Sequence, residues 1–213
     1  MRRLVLRCGL GLLLSIVGHC NDSDAAPREQ LIPILGTTTE HHPVGTVAYI
    51  VATFEERNDH KGLLIRFHTQ PGKFSRMAQI STEQAIRRTA HSLGLSTDSW
   101  TVELRIPYVG VTIYGDSLSA MVGLTVAAMA EGKTVPPGYV LTGTVTPEGE
   151  IGPVGSVPLK IQAANAAKLR RVLVPDHKSS SDSEVQTPFL MQVSPVRSVP
   201  EAYEALTNSS DSK

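Results

Sequence analysis

The chain has 213 residues, 41% of them hydrophobic, enough apolar material for one folded domain and too much for wholesale disorder. Lys and Arg number 20 and Asp and Glu number 20, for a formal charge of zero, which leaves no basic footprint for DNA or RNA. One short apolar stretch stands at the N-terminus and none follows, which argues against a polytopic helical membrane protein; no G-x-x-x-x-G-K-[ST] phosphate loop is present in these residues.

In chain order, Met1-Arg2-Arg3 with Arg7, then Gly9–Gly18, then Asn21–Asp24 run basic, apolar, polar. That order predicts a secretory signal over residues 1–25 and an exported protein, periplasmic or in the cell envelope. Ser23-Asp24-Ala25 offers small residues for cleavage. Val17-Gly18-His19-Cys20 resembles a lipoprotein box, with His19 where a small residue is usual; lipid on Cys20 would then be the membrane attachment. Cys8 falls inside the signal, so no internal disulfide is expected.

Residues 26–43 read as a linker and 44–207 as the domain. Thr46–Thr53 and Gly62–Thr69 read as strands, and the polar Glu55–Lys61 between them suggests a hairpin. Ser81–Leu93 reads as a helix: Ser81 and Gln84 form a capping box, Ile86, Ala90 and Leu93 share a face, and Gly94 closes it. Trp100–Ile106 alternates as a strand. Leu118–Ala130 is almost wholly apolar, which predicts a buried helix. Tyr139–Thr146 reads as a strand, followed by a turn over Pro147–Glu150. Val157–Leu169 reads as a helix with Ser156 as its cap and Pro158 in its first turn. Arg171–Val174 reads as a strand, Lys178–Ser183 as a surface loop, and Ser198–Leu206 as a helix with a Ser198–Glu201 capping box. Residues 208–213 read as a disordered tail. The fold class expected is α+β, with mixed sheets around a buried central helix and helices on the surface.

Two segments carry candidate chemistry. Tyr114–Met121 leads from a strand into the apolar helix, and Gly152–Lys160 leads into the helix that carries Lys160. A serine at a helix N-terminus lies beside backbone N–H groups that can hold a developing oxyanion. It needs a neighbouring base to become a nucleophile. An ordinary lysine is about one part in a thousand amine at neutral pH, or less; burial and the positive end of a helix dipole both favour the neutral amine. Lys160 sits in a first turn among Val157, Pro158, Leu159 and Ile161. A cap for such a serine and solvation for such a lysine are the ordinary roles, and neither signal is specific alone.

Together, Gly115-Asp116-Ser117-Leu118-Ser119, Thr142-Gly143, and Gly149–Gly155 followed by Lys160 resemble the proteolytic domain of Lon proteases, particularly the archaeal, membrane-associated LonB type. The likeness runs over about residues 44–207. It implies a Ser–Lys dyad peptidase with Ser119 as nucleophile and Lys160 as general base. Thr142 would hold the lysine amine, Asp116 would support the site or shape the admission of substrate, and the backbone N–H groups of Leu118 and Ser119 would serve the oxyanion. Three departures stand out: the family's ATPase module is not in these residues, the Gly-Gly before the lysine reads Gly155-Ser156, and Thr144 replaces the acidic residue many members have after Thr-Gly. The resemblance then implies ATP-independent cleavage of unfolded or exposed peptide segments. No cofactor, metal, ATP or nucleic acid would be involved; a delivery partner and a homo-oligomer are both compatible with it.

Two rival readings remain. Gly115–Ser119 is also similar to the opening block of GDSL esterases, which would make Ser117 the nucleophile. That block normally opens its domain, and the D-x-x-H block is missing, since Asp176 and His177 are adjacent. Alternatively, the same fold is a non-catalytic peptide-binding or protein-binding module. His41-His42 lacks a third ligand at metal spacing, and His68 and His91 are isolated.

Overall fold

The computed structural model describes residues 28–39, 41–176 and 191–208. Its elements are β1 (Arg28–Thr37), β2 (Gly45–Glu56), β3 (Leu64–Phe67), β4 (Lys73–Phe74), α1 (Arg76–Ser92), β5 (Trp100–Arg105) and β6 (Thr112–Ile113). There follow α2 (Ser119–Ala130), β7 (Tyr139–Leu141), β8 (Thr144–Val145), β9 (Ile151–Gly152), α3 (Val157–Ala166), β10 (Arg171–Pro175), β11 (Gln192–Val196) and α4 (Val199–Thr207). The expected signal, Cys8, Cys20, His177, the 178–183 loop and all but the first residue of the tail lie outside the described residues. No helix among the described residues is long and apolar enough to cross a membrane.

The main sheet has the order β1-β2-β5-β3. β1 and β2 form an antiparallel ribbon from Arg28↔Phe54 to Thr37↔Gly45. One face of the sheet is apolar because side chains alternate along each strand: Ile32, Ile34, Ile50, Ala52, Phe54, Val102 and Leu104 are all buried. Against this face lies α2, a helix with no polar side, buried from Ser119 to Met129. α1 covers α2 at short range. A Cβ on Gly123 would stand 2.8 Å from Thr89 Oγ1 and 3.0 Å from the Ala85 carbonyl oxygen, so glycine there permits the approach. A parallel sheet, β11-β10-β7, and α3 enclose a smaller core of Leu35, Val140, Ile161, Ala164 and Val172. This is the mixed α+β arrangement with a buried central helix that the sequence predicts.

Several expectations are corrected. The linker 26–43 is largely β1, which shares the main core through Ile32 and Ile34. Pro33 hides it in the sequence, but β1 pairs only with β2, and an edge strand tolerates a proline. The hairpin of the second and third strands does not form: β5 takes the free edge of β2, and β3 runs parallel to β5 from Leu64↔Thr101. Arg57 turns the chain away, donating to the carbonyls of Trp100 at 2.8 Å and Gly62 at 2.5 Å. α1 begins five residues early, capped by Ser75, whose hydroxyl accepts from Ala78 N at 3.2 Å. Met77 and Ile80 are exposed in its first turns, out of phase with the buried face, and Ser81 is interior to the helix. At the other end Gly94, with φ +69°, closes α1 as expected. The strand 139–146 breaks at Thr142-Gly143. α3 ends at Ala166, three residues short, before Lys168 at φ 59°. Ser198 caps α4 by accepting from Glu201 N at 3.4 Å, but the Glu201 carboxylate takes the N–H of Arg197, not of Ser198.

α4 is fastened to the end of α2 by a polar clamp. The Tyr203 hydroxyl donates to Glu131 at 2.6 Å, and Lys133 pairs with the same carboxylate at 2.8 Å. The bonds from Lys133 and then Tyr203 hold the Glu131 carboxyl below its ordinary pKa; burial, then Glu131, pushes the Tyr203 phenol up. A depressed carboxyl contributes stability above its unfolded pKa, near 4.5, and loses it as pH falls through the folded value. Tyr203→Phe should therefore lower stability by about 1 kcal/mol at pH 7. In urea titrations the gap from the unmodified protein should narrow below the ordinary glutamate range.

Candidate active site

Between β6 and α2 the chain makes a tight turn. Gly115 adopts φ +82°, a left-handed conformation that glycine reaches without a Cβ clash. Ser119 N then donates to the Asp116 carbonyl at 2.9 Å, and α2 starts. Leu118 holds the cap position with no side-chain hydrogen bond.

Thr142-Gly143 stitches this turn to the core. Gly143 N donates to the Ser117 carbonyl at 2.9 Å, and Ala120 N donates to the Gly143 carbonyl at 3.1 Å. The Thr142 hydroxyl approaches the same Ser117 carbonyl at 3.5 Å, while Thr142 N donates to the Leu173 carbonyl at 3.1 Å. The dipeptide leaves the strand in order to make these bonds, which is why the expected strand 139–146 is interrupted. Thr142 is fully buried.

Lys160 lies in α3, its N donating to the Ser156 carbonyl at 3.1 Å. The residue is 4% exposed, far from the ordinary habit of lysine. Ser156 stands at the cap position with φ 59° and ψ 32°, and its hydroxyl makes no capping bond. The expected cap is thus absent: the left-handed backbone turns the side chain away from the first-turn N–H groups.

The turn before α2 and the start of α3 meet at a cavity of about 780 Å³, whose lining includes neither Ser119 nor Thr142. Its walls are the β1–β2 ribbon around Leu35 and Val47, the segment Tyr108–Leu118, and Gly155, Ser156 and Lys160. Ser117 and Leu118 line it; Ser119, the next residue, is 1% exposed. Asp116 is exposed at the turn. Of the expected oxyanion donors, the Ser119 N–H is already taken by the Asp116 carbonyl. Away from the cavity, His41, His42 and His91 are exposed, and His68 contacts Glu103 at 3.1 Å on the surface. Among the described residues no three His, Cys, Asp or Glu side chains gather as a metal site.

Sequence reasoning found the wall at Lys160 and the Tyr114–Leu118 part of the second wall, and missed the rest. The β1–β2 wall was hidden with β1. The wall at Tyr108–Tyr114 had a signal in its run of apolar residues outside any strong periodicity: Tyr108, Val109, Val111 and Tyr114 all remain exposed in the fold.

Comparison with known proteins gives the arrangement a family. Residues 72–206 match the Lon protease (S16) C-terminal proteolytic domain. Similar proteins include the Lon protease of Syntrophomonas wolfei subsp. wolfei, 28% identical over 131 residues, 59% of this chain and 16% of that protein. The archaeal Lon protease of Archaeoglobus fulgidus is 35% identical over 80 residues, 37% of this chain and 13% of that protein. That of Methanothermobacter thermautotrophicus is 28% identical over 104 residues, 49% of this chain and 16% of that protein. The chain therefore spans a small fraction of the length of these relatives. Because the match covers most of the chain and contains Ser119, Thr142 and Lys160 together, the protein belongs to the Lon (S16) proteolytic-domain family, a family of serine peptidases.

Proposed function

We propose that this domain is a serine endopeptidase that cleaves unfolded or exposed peptide segments with Ser119 as nucleophile and Lys160 as base. The observation that carries the reading is a buried lysine on the wall of a cavity that Ser117 and Leu118 also line, one residue from Ser119. Burial disfavours an ammonium and so favours the free amine that a base must be.

In the proposed reaction the Lys160 amine takes the Ser119 hydroxyl proton as Oγ attacks the peptide carbonyl carbon. The resulting ammonium then protonates the departing amine, leaving an acyl ester on Ser119. A water, deprotonated by the same amine, attacks the ester and releases the acid, restoring both groups. Thr142 suits the role of orienting the ammonium: a lysine only donates, and a threonine oxygen keeps lone pairs after its own proton is used. For Ser119 N–H to stabilise the oxyanion, the Asp116 carbonyl must release it; the Leu118 N–H is the other donor of the pair. No step consumes a nucleotide, so cleavage of an already unfolded chain proceeds without ATP.

An unfolded, fluorescently labelled casein-like chain, incubated without ATP, tests the assignment. Ser119→Ala and the volume-conserving Lys160→Met should each lose about a thousandfold or more of the rate, with circular dichroism unchanged, whereas Ser117→Ala should stay within about threefold. Loss in Ser117→Ala alone would point instead to the esterase-type nucleophile. A protein that binds the chain equally well with and without Ser119 and never cleaves it would be a binding module.

The pH dependence supplies a separate check. Only the amine form of Lys160 can act, so the turnover rate should climb from acidic to alkaline pH as the base loses its proton. A profile flat across that range would overturn the lysine's role.

A further inference from the structure

Gly45 opens β2, well before residue 72, where the family match begins. It meets α3 with no space between. A Cβ at this position would stand 2.0 Å from the Leu159 carbonyl oxygen, 2.6 Å from the carbonyl carbon and 3.1 Å from Ala163 Cβ. Leu159 immediately precedes Lys160. At Gly36, the ribbon's other glycine and part of the cavity lining, a Cβ would meet only Thr46 Cγ2, at an ordinary 3.7 Å. Neither glycine has a left-handed φ, so what Gly45 supplies is room, not backbone freedom.

We propose that Gly45 is a positioning residue for the base: it sets the depth at which α3 rests on the β1–β2 ribbon and, through Leu159, where the Lys160 amine sits in the cavity. The inference rests on the Ser–Lys reading and deepens it. The opposing atoms are main chain, so no side-chain rotation relieves the contact. A methyl group at residue 45 would have to open the gap by about 1.4 Å to restore ordinary contact. Gly45 is held in its ladder opposite Thr37, and Val44 next to it accepts from Thr38 N at 2.9 Å. Whether ribbon or helix yields, the cavity changes, since both are its walls. A displacement of about 1 Å between catalytic groups can cost about a hundredfold in rate.

The test compares Gly45→Ala with Leu31→Ala, at an exposed position of β1 outside the cavity lining, in the full chain on an unfolded peptide substrate, with Ser119→Ala and Lys160→Met run beside them. Gly45→Ala should lower kcat by tenfold to a hundredfold and displace the alkaline rise of the kcat–pH profile, with KM nearly unchanged and circular dichroism native. Leu31→Ala should stay within about twofold. Should Gly45→Ala fail to fold, Ala163→Val loads the same contact from the helix side and should give the same fall in kcat and the same displaced profile. Wild-type kcat and pH profile in the folded variant would overturn the positioning role, provided Ser119→Ala and Lys160→Met are inactive. Retained activity in those two would instead overturn the dyad itself.

Discussion

A helix without a polar face has no side to offer water, and much of the architecture follows from that constraint. Every residue of α2 from Ser119 to Met129 is buried, so α1, α4, the main sheet and β7 must close around it. Its interior polar group is satisfied within the helix, where the Thr125 hydroxyl donates to the Met121 carbonyl at 2.8 Å. Its glycine admits α1 to near backbone contact. Close packing on all sides leaves little play in the axis, and Ser119 is the first residue on that axis. The serine's backbone is therefore set by the core before any substrate arrives. In the proposed Ser–Lys reading this fixes where the nucleophile's backbone lies, whereas its N–H is bonded to the Asp116 carbonyl and is not yet free for an oxyanion.

The lysine is held differently. α3 lies over the smaller core and begins from Ser156, a residue with a side chain in a conformation that costs of order 1 kcal/mol without glycine. Four residues later it buries a lysine that would rather be solvated. Both features oppose folding, in a protein whose whole margin is expected to be about 5–15 kcal/mol. They persist because hydrophobic neighbours such as Ile161 and Ala164, each nearly inaccessible, keep the helix in place. The serine side of the site is thus the stable side and the lysine side the costly one. Disturbance of α3 should reach the chemistry before it reaches the fold.

The helices that pack by a continuous apolar signal were legible from the sequence; α2 is the clearest, because eleven successive buried residues leave no ambiguity of period. The trio Ser119, Thr142 and Lys160 was read from resemblance alone, without its surroundings. What escaped was set by partners distant in sequence. β1 looked like a linker because Pro33 is a poor strand residue unless one edge of the strand is unpaired, and only the sheet order reveals the free edge. β3 looked like the return arm of a hairpin, yet β5, more than thirty residues on, outcompetes it for β2. The break at Thr142-Gly143 has no local cause; it exists to bond the Ser117 turn. Ser156 seemed a cap because its residue type favours capping, and the left-handed backbone that prevents this is imposed by how the chain enters α3.

The extent of the folded unit follows from packing more than from resemblance. The family match starts at residue 72, but Ile32, Ile34, Ile50, Ala52 and Phe54, all upstream, belong to the same core cluster as α2. Without β1 and β2, the apolar face of β5 would lose its neighbour on that edge, and α3 would lose the surface on which it rests. The ribbon also supplies one wall of the cavity. Recurring residue types mark where the chemistry lies; buried area marks what holds it in place. Here the second boundary extends at least to Ile32, so a fragment cut at residue 72 would keep Ser119 and Lys160 in sequence while losing the ribbon that supports the lysine's helix.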